Sequence, residues 1–238
     1  MNIAFYNAYT ALQAYQQNLN SISNNIANVS TNGYKSTKLN FDDLIYTQMT
    51  QSKDLMQGHG VKASSTQINF EEGLYVNTSS QSDFAIVGEG FFAVLNKGQV
   101  EYSRDGSFAV SLFQDKAYLV RNDGSFVLDK NQKPIELNKQ DDQWDIESAK
   151  EKIAVFRFNN PNALIKSSQT SFIPSNASGN ASSASPDSYL LVQHCLEQSN
   201  VELGPQMVAL IEGQKAFQLN SRVIQTADQI EEIINSLR

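Results

Sequence analysis

The chain has 238 residues, 40% of them hydrophobic and only 18% charged, with a formal net charge of -7. That length supports one or two domains with a sizeable core, and the acidic balance argues against nucleic acid, whose phosphates need a basic face. No apolar run approaches the roughly 20 residues of a membrane span, so direct membrane insertion is not expected. The start at Met1-Asn2-Ile3-Ala4-Phe5 lacks the pattern of a cleaved secretory signal. With Cys195 as its single cysteine the chain can form no internal disulfide, and a small buried apolar role is expected for it.

In the first segment Phe5, Ala8, Leu12, Tyr15, Leu19, Ile22, Ile26 and Val29 alternate spacings of three and four. That is a heptad seam, and it predicts a helix from Ile3 to Ala27 or Val29, roughly 36 Å long from Phe5 to Val29 at 1.5 Å per residue. Asn32-Gly33 marks its end, since both residues tolerate the left-handed backbone that closes a helix. Residues 36–82 read as an extended connector, with Phe41 to Tyr46 compatible with a helical turn and strand-like alternation at Gln67–Phe70 and Leu74–Val76.

From Asp83 to Phe158 the sequence turns β-like. Phe84–Val87, Phe91–Leu95, Ala117–Val120 and Ile153–Phe158 are rich in β-branched and aromatic residues, punctuated by Gly88-Glu89-Gly90, Lys97-Gly98, Asp105-Gly106 and Asp123-Gly124. Short strands at this spacing predict antiparallel hairpins closing a small sandwich or barrel. The Ser/Asn-rich tract 167–188 reads as a return connection or a disordered linker, and its sequons at Asn176 and Asn180 carry little weight without a secretory signal. Tyr189–Val192 is expected to be the last strand of a β domain over residues 83–195.

Residues 196–238 complete the pattern. Ala209, Ala216, Val223, Ala227, Ile230, Ile234 and Leu237 repeat the heptad beat, with Leu210, Phe217 and Ile224 in an adjacent row. Ser199 to Glu202 has capping-box spacing, but a helix begun at Asn200 would place Pro205 in its interior at about 3 kcal/mol, so the helix is expected to start near Pro205. The two terminal helices, residues 1–35 and 196–238, are the natural partners of each other as a coiled-coil bundle, or of copies in neighbouring molecules. The predicted class is therefore α+β, a terminal helical bundle with a central mainly antiparallel β domain.

Catalytic chemistry finds little support. His59 and His194 lack ligands at metal-site spacing, and Asp141, Asp142, Asp145 and Glu147 lack the glycine of a calcium loop. No nucleophile elbow, phosphate loop or zinc motif is present, so no catalytic, cofactor or metal residues are expected.

Four segments carry a resemblance. Ala27-Asn28-Val29-Ser30-Thr31-Asn32-Gly33-Tyr34-Lys35, ending the first heptad helix, resembles the N-terminal signature of the bacterial flagellar rod and hook family, in which Ala27, Asn28, Thr31, Gly33, Tyr34 and Lys35 fill the motif positions. Asp83–Val94 resembles that family's central strand, Tyr102-Ser103-Arg104-Asp105-Gly106-Ser107-Phe108 its hairpin, and Ser199–Val201 with Met207–Phe217 and Asn220–Ile230 its C-terminal helix. The resemblance implies a non-enzymatic axial subunit of the flagellar basal body. It would polymerise helically with copies of itself and with other rod and hook subunits, after export through the flagellar type III apparatus with no cleaved signal. It implies assembly contacts through Leu12, Leu19, Ile22, Ile26, Val29, Leu210, Phe217, Ile224 and Ile234. The chain is short for a hook protein, which favours a distal or proximal rod subunit; a hook or hook-junction subunit, and a secreted adhesin or binding module with flagellar-type termini, are the alternatives.

Overall fold

The structure is a computed structural model and describes residues 3–44, 47–48, 56–113, 116–140, 143–185 and 188–237. Ile45, Tyr46, Asp141 and Asp142 lie outside the described residues, as do Met1 and Asn2 at the start of the chain. The chain divides into two compact units and crosses between them after Ala27, Ser36, Ile68 and Val201.

The first unit holds the chain up to Ala27, Thr37–Ile68 and the chain from Glu202 onward. Helix α1 spans Ile3–Ala27 and helix α3 spans Leu203–Ser236, while the short α2 (Glu147–Lys152) belongs to the other unit. Helix α1 ends where the sequence places its stop. Helix α3 starts two residues earlier than expected, putting Pro205 at its third position with Glu202 before the first turn. The cost of an interior proline does not arise there, because first-turn N–H groups have no intrahelical acceptor. Leu19 lies against Gly213 and Asn25 against Gln206, so α1 and α3 run antiparallel.

The connector is more structured than its sequence suggests. Thr37–Asp43 pairs antiparallel with Val61–Ile68, with a register shift at Asn40/Phe41. Phe41 is thus in a strand, its ring 6.3 Å from that of Tyr15 on α1. A helical turn loses there because Thr37, Leu39 and Phe41 alternate with polar residues, and the pairing satisfies the backbone over the whole strand.

The second unit, residues 28–36 and 69–201, contains a ten-stranded antiparallel sheet among its described residues. The α+β class expected from the sequence is the one observed. The sheet path runs from Glu136–Leu137 at one end to Ile165–Lys166 at the other, so it is not a closed barrel. Phe91–Asn96 and Gln99–Ser103 form the hairpin expected at Lys97-Gly98, where both residues have positive φ as a tight two-residue turn requires. Gly88-Glu89-Gly90 joins no hairpin: Phe84–Gly88 pairs instead with Tyr189–Gln193. The core gathers Phe84, Ile86, Phe92, Val94, Phe108, Leu119, Ile135 and Ile153, with Trp144 and Tyr189 packed against it. The Ser/Asn-rich tract also contributes a strand, since Ser171–Ile173 pairs with the Gln99–Ser103 strand and buries Phe172 completely. Its low apolar content is offset by that one side chain, whose ring lies 5.2 Å from Phe70 and 6.0 Å from Phe91.

Candidate assembly site: the helical pair and a buried ionic clasp

The assembly residues named from the heptads fall in the first unit, except Val29, which lies in the second and is half-buried. Ile22 is buried, while Leu12, Leu19, Ile26, Leu210, Phe217 and Ile224 are half-buried. Gly213 is what lets the helices approach: a Cβ there would sit 3.0 Å from Leu19 Cδ2. Ala8 on α1 and Ala227 on α3 are likewise buried. Ile234 differs, being 59% exposed, and with Leu219, Val223, Ile230 and Leu237 it forms an exposed apolar row on one side of α3.

Periodicity alone missed a second face of α1. Ala14, Ser21 and Asn25, spaced by seven and four, line one face of α1 with small or polar side chains, and Ser21 and Asn25 meet the first strand of the pair. Ala14 and Asn25 are buried, and Ser21 Oγ donates to Thr37 O at 3.2 Å. Asn25 acts as a surrogate strand, donating from Nδ2 to Thr37 O (2.8 Å) and accepting from Thr37 N at Oδ1 (3.0 Å). Small residues at helical spacing were the available signal, but large apolar side chains dominate any heptad pattern.

The motif residues after α1 belong to the second unit. Ala27 closes the helix and is exposed. Asn28 is buried, its carbonyl accepting from Thr31 N and its Oδ1 from Thr31 Oγ1. Gly33 sits at φ +67 and donates to Glu197 O at 2.7 Å, and a Cβ there would meet Asp105 N at 2.3 Å. Only glycine satisfies both the left-handed backbone and that approach. Tyr34 is buried, with Lys166 Nζ 4.0 Å above its ring; burial lowers the Lys166 amine to about 8.

Lys35 completes the motif and is fully buried. Its Nζ donates to Glu71 O and to Glu197 Oε1, both at 2.6 Å. The same Glu197 carboxylate accepts from Gly73 N at 3.0 Å and from Arg104 Nη1 at 3.2 Å. Arg104 further donates to Ile86 O and Gly88 O. Three segments remote in sequence therefore meet at one buried carboxylate. Burial lowers the Lys35 amine below the usual lysine range, with Glu197 opposing the shift. Asn200 braces the same region, accepting from Ser36 N and donating to Asn69 O and Glu71 O. Its side chain is thus a clasp, and the residue that precedes α3 is Glu202, which makes no side-chain capping hydrogen bond, so the capping box read at Ser199–Glu202 is not formed. Sequence reasoning saw Lys35 as a motif residue but not its partner, since nothing local to Glu197 distinguishes it from other acidic residues.

Of the acidic residues considered for calcium, Asp145 instead holds the start of α2, where its Oδ1 accepts from Ser148 N at 3.0 Å. Among the described residues no group of three or more His, Cys, Asp or Glu is placed to hold a metal ion. Cys195 is buried within the Cys195–Glu197 strand. No helix of the described chain is long and apolar enough to cross a membrane.

Comparison with known proteins bears directly on these elements. Residues 5–35 match the family described as flagella basal body rod protein, residues 85–154 the flagellar hook protein FlgE/F/G D1 domain, and residues 192–237 the flagellar basal body rod FlgEFG protein C-terminal region. The flagellar basal-body rod protein FlgG of Buchnera aphidicola subsp. Baizongia pistaciae is 35% identical, the alignment covering 95% of this chain and 96% of that protein. The chain belongs to the flagellar basal-body rod protein family. FlgG of Borreliella burgdorferi is 32% identical across 99% of this chain and 98% of its own length. The flagellar hook-basal body complex protein FlhP of Bacillus subtilis is 30% identical, covering 97% of each. The family matches at residues 5–35 and 192–237 fall on the two terminal helices and on the Lys35–Glu197 clasp.

Proposed function

We propose that this protein is a structural axial subunit of the bacterial flagellar basal-body rod. Its terminal helices pair as a coiled coil and polymerise with those of neighbouring copies into a hollow shaft that carries torque. The observation that carries this reading is end-to-end likeness to FlgG proteins, 95% of this chain in one case and 99% in another. The exposed row Leu219–Val223–Ile230–Ile234–Leu237 supports it physically. Each such side chain gains about 1.5–3 kcal/mol when fully buried, a gain that a lone molecule forgoes and a polymer recovers.

In this reading Leu12, Leu19, Ile22, Ile26, Leu210, Phe217 and Ile224 set the intramolecular pair, and Ile234 meets a neighbour. Val29 and the residues Asn28, Thr31, Gly33, Tyr34 and Lys35 fix the chain's exit from α1. The subunit leaves the cell through the flagellar type III export apparatus with its N-terminus uncleaved, and its neighbours are copies of itself and other rod and hook subunits. It works without catalysis or cofactor. The likeness to FlhP, whose name places it in the hook-basal body complex, keeps a hook-junction subunit as the second reading.

Deletion of the gene separates the readings. Loss of both rod and filament is the expected result. A rod lacking a hook would favour the junction role, and normal flagella would overturn both.

A further inference from the structure

Of the 12 glycines in the chain, Gly33 alone follows an asparagine. With no Cβ beside it, a glycine nitrogen is open to approach by the side-chain amide of the residue before it. At such a step the Gly33 nitrogen gives up its proton to solvent and its electron pair bonds Asn32 Cγ. The Cγ–Nδ2 bond breaks, Nδ2 departs with a proton as ammonia, and a succinimide ring is left in the chain. Water then adds to either ring carbonyl. Opening at Cγ gives aspartate at 32, while opening at the main-chain carbonyl gives isoaspartate, whose backbone runs through the former side chain. The net reaction consumes water and releases ammonia, with no oxidant, cofactor or enzyme.

The fold sets two obstacles in its way. Asn32 is half-buried and within reach of water, but Gly33 is buried and its N–H donates to Glu197 O at 2.7 Å. An imide nitrogen carries no hydrogen, so closing the ring breaks that bond and strands a carbonyl of a residue only 1% exposed. The second obstacle is space. Tyr34 N donates to Thr31 O at 3.3 Å across Asn32 and Gly33, and a Cβ added to Gly33 would lie 2.3 Å from Asp105 N. Drawing Asn32 Cγ onto the Gly33 nitrogen therefore opens a turn that has no slack. Isoaspartate fits it worse still, because an extra main-chain carbon enters between residue 32 and Gly33.

We propose that Asn32-Gly33 is a self-modification site gated by folding. It deamidates while the chain is unfolded, and is held back once the Gly33 N–H reaches the Glu197 carbonyl. Where isoaspartate has already formed, it bars the β unit from closing. Glu197 links the turn to the ionic clasp, since its carbonyl holds Gly33 and its carboxylate holds Lys35 two residues later. Lengthening the backbone at residue 32 displaces one contact or the other. This chemistry is independent of the rod assignment.

Two measurements test it. The full-length protein is incubated at mildly alkaline pH, once in native buffer and once in guanidinium chloride. Mass spectrometry follows the peptide containing residue 32, and enzymatic methylation reports its isoaspartate. Conversion is expected in denaturant and should be at least about tenfold slower in native buffer, the factor given by an opening cost of about 1.4 kcal/mol. Equal rates in the two conditions, or no conversion in denaturant, overturn the gating. Next, protein aged in denaturant is diluted to refold, and the folded fraction is selected by its resistance to protease. Isoaspartate at 32 should be depleted in that fraction relative to the whole. An equal proportion in both overturns the block to closing, and leaves the rod reading to be decided by the gene deletion.

Discussion

The substitution Glu197→Gln isolates the clasp. Gln keeps the shape of the side chain and one acceptor, but removes the buried carboxylate that is paired with both Lys35 and Arg104 and turns an NH2 donor toward one of them. The buried charge rises from one excess positive to two. Breaking a buried ion pair from one side costs about 3–5 kcal/mol, a large share of a domain's total stability. Lys35→Met makes the opposite comparison: Glu197 keeps Arg104 and Gly73 N and the excess charge falls to zero, while the bonds from Lys35 to Glu197 and to the Glu71 carbonyl are lost together, about 1.5–3 kcal/mol. The asymmetry is the prediction. Trp144, the single tryptophan, packs against the core of the β unit and reports its unfolding by fluorescence in urea. If Lys35→Met proves as damaging as Glu197→Gln, the cluster is not organised around the carboxylate and the account of it is wrong.

Gly33→Ala adds the left-handed penalty of about 1–2 kcal/mol to a Cβ placed 2.3 Å from a backbone nitrogen; a urea midpoint unchanged from wild type would contradict that geometry. Asn25→Ala removes both hydrogen bonds to the Thr37 backbone and should destabilise the first unit by about 1–3 kcal/mol, seen as faster hydrogen exchange at the Thr37 amide. Lys166 gives a pH signature. Its folded-state pKa of about 8 lies below the ordinary lysine value of about 10.4, so the folded state sheds its proton first. Its contribution is complete above the ordinary value and is lost as pH falls through about 8. Stability should therefore climb over that interval, and Lys166→Met should remove its share of the slope in urea titrations by pH.

The terminal helices were legible because heptad spacing is a local signal, and the turn at Lys97-Gly98 because turn chemistry is local too. What escaped was non-local. Phe41 looked helical because a strand declares itself only through its partner, here Val61–Ile68. Phe172 was lost in a polar tract because one aromatic in a Ser-rich stretch says nothing until Phe70 and Phe91 are beside it. Glycines at 88 and 90 mark a bend correctly, but whether the flanking strands pair with each other depends on Tyr189–Gln193, far downstream. Lys35 stood out through its motif, yet its meaning lies in Glu197 and Arg104, which no spacing rule connects to it.

The central claim, that the terminal helices are completed by neighbouring copies, is tested most directly by hydrogen exchange over the C-terminal helix in the monomer and in isolated rods. The account predicts that amides around Leu219–Leu237, where the apolar row is exposed in the single molecule, exchange quickly in the monomer and become protected in the rod. Equal exchange in the two states would mean that this row gains no partner on assembly, and would contradict it.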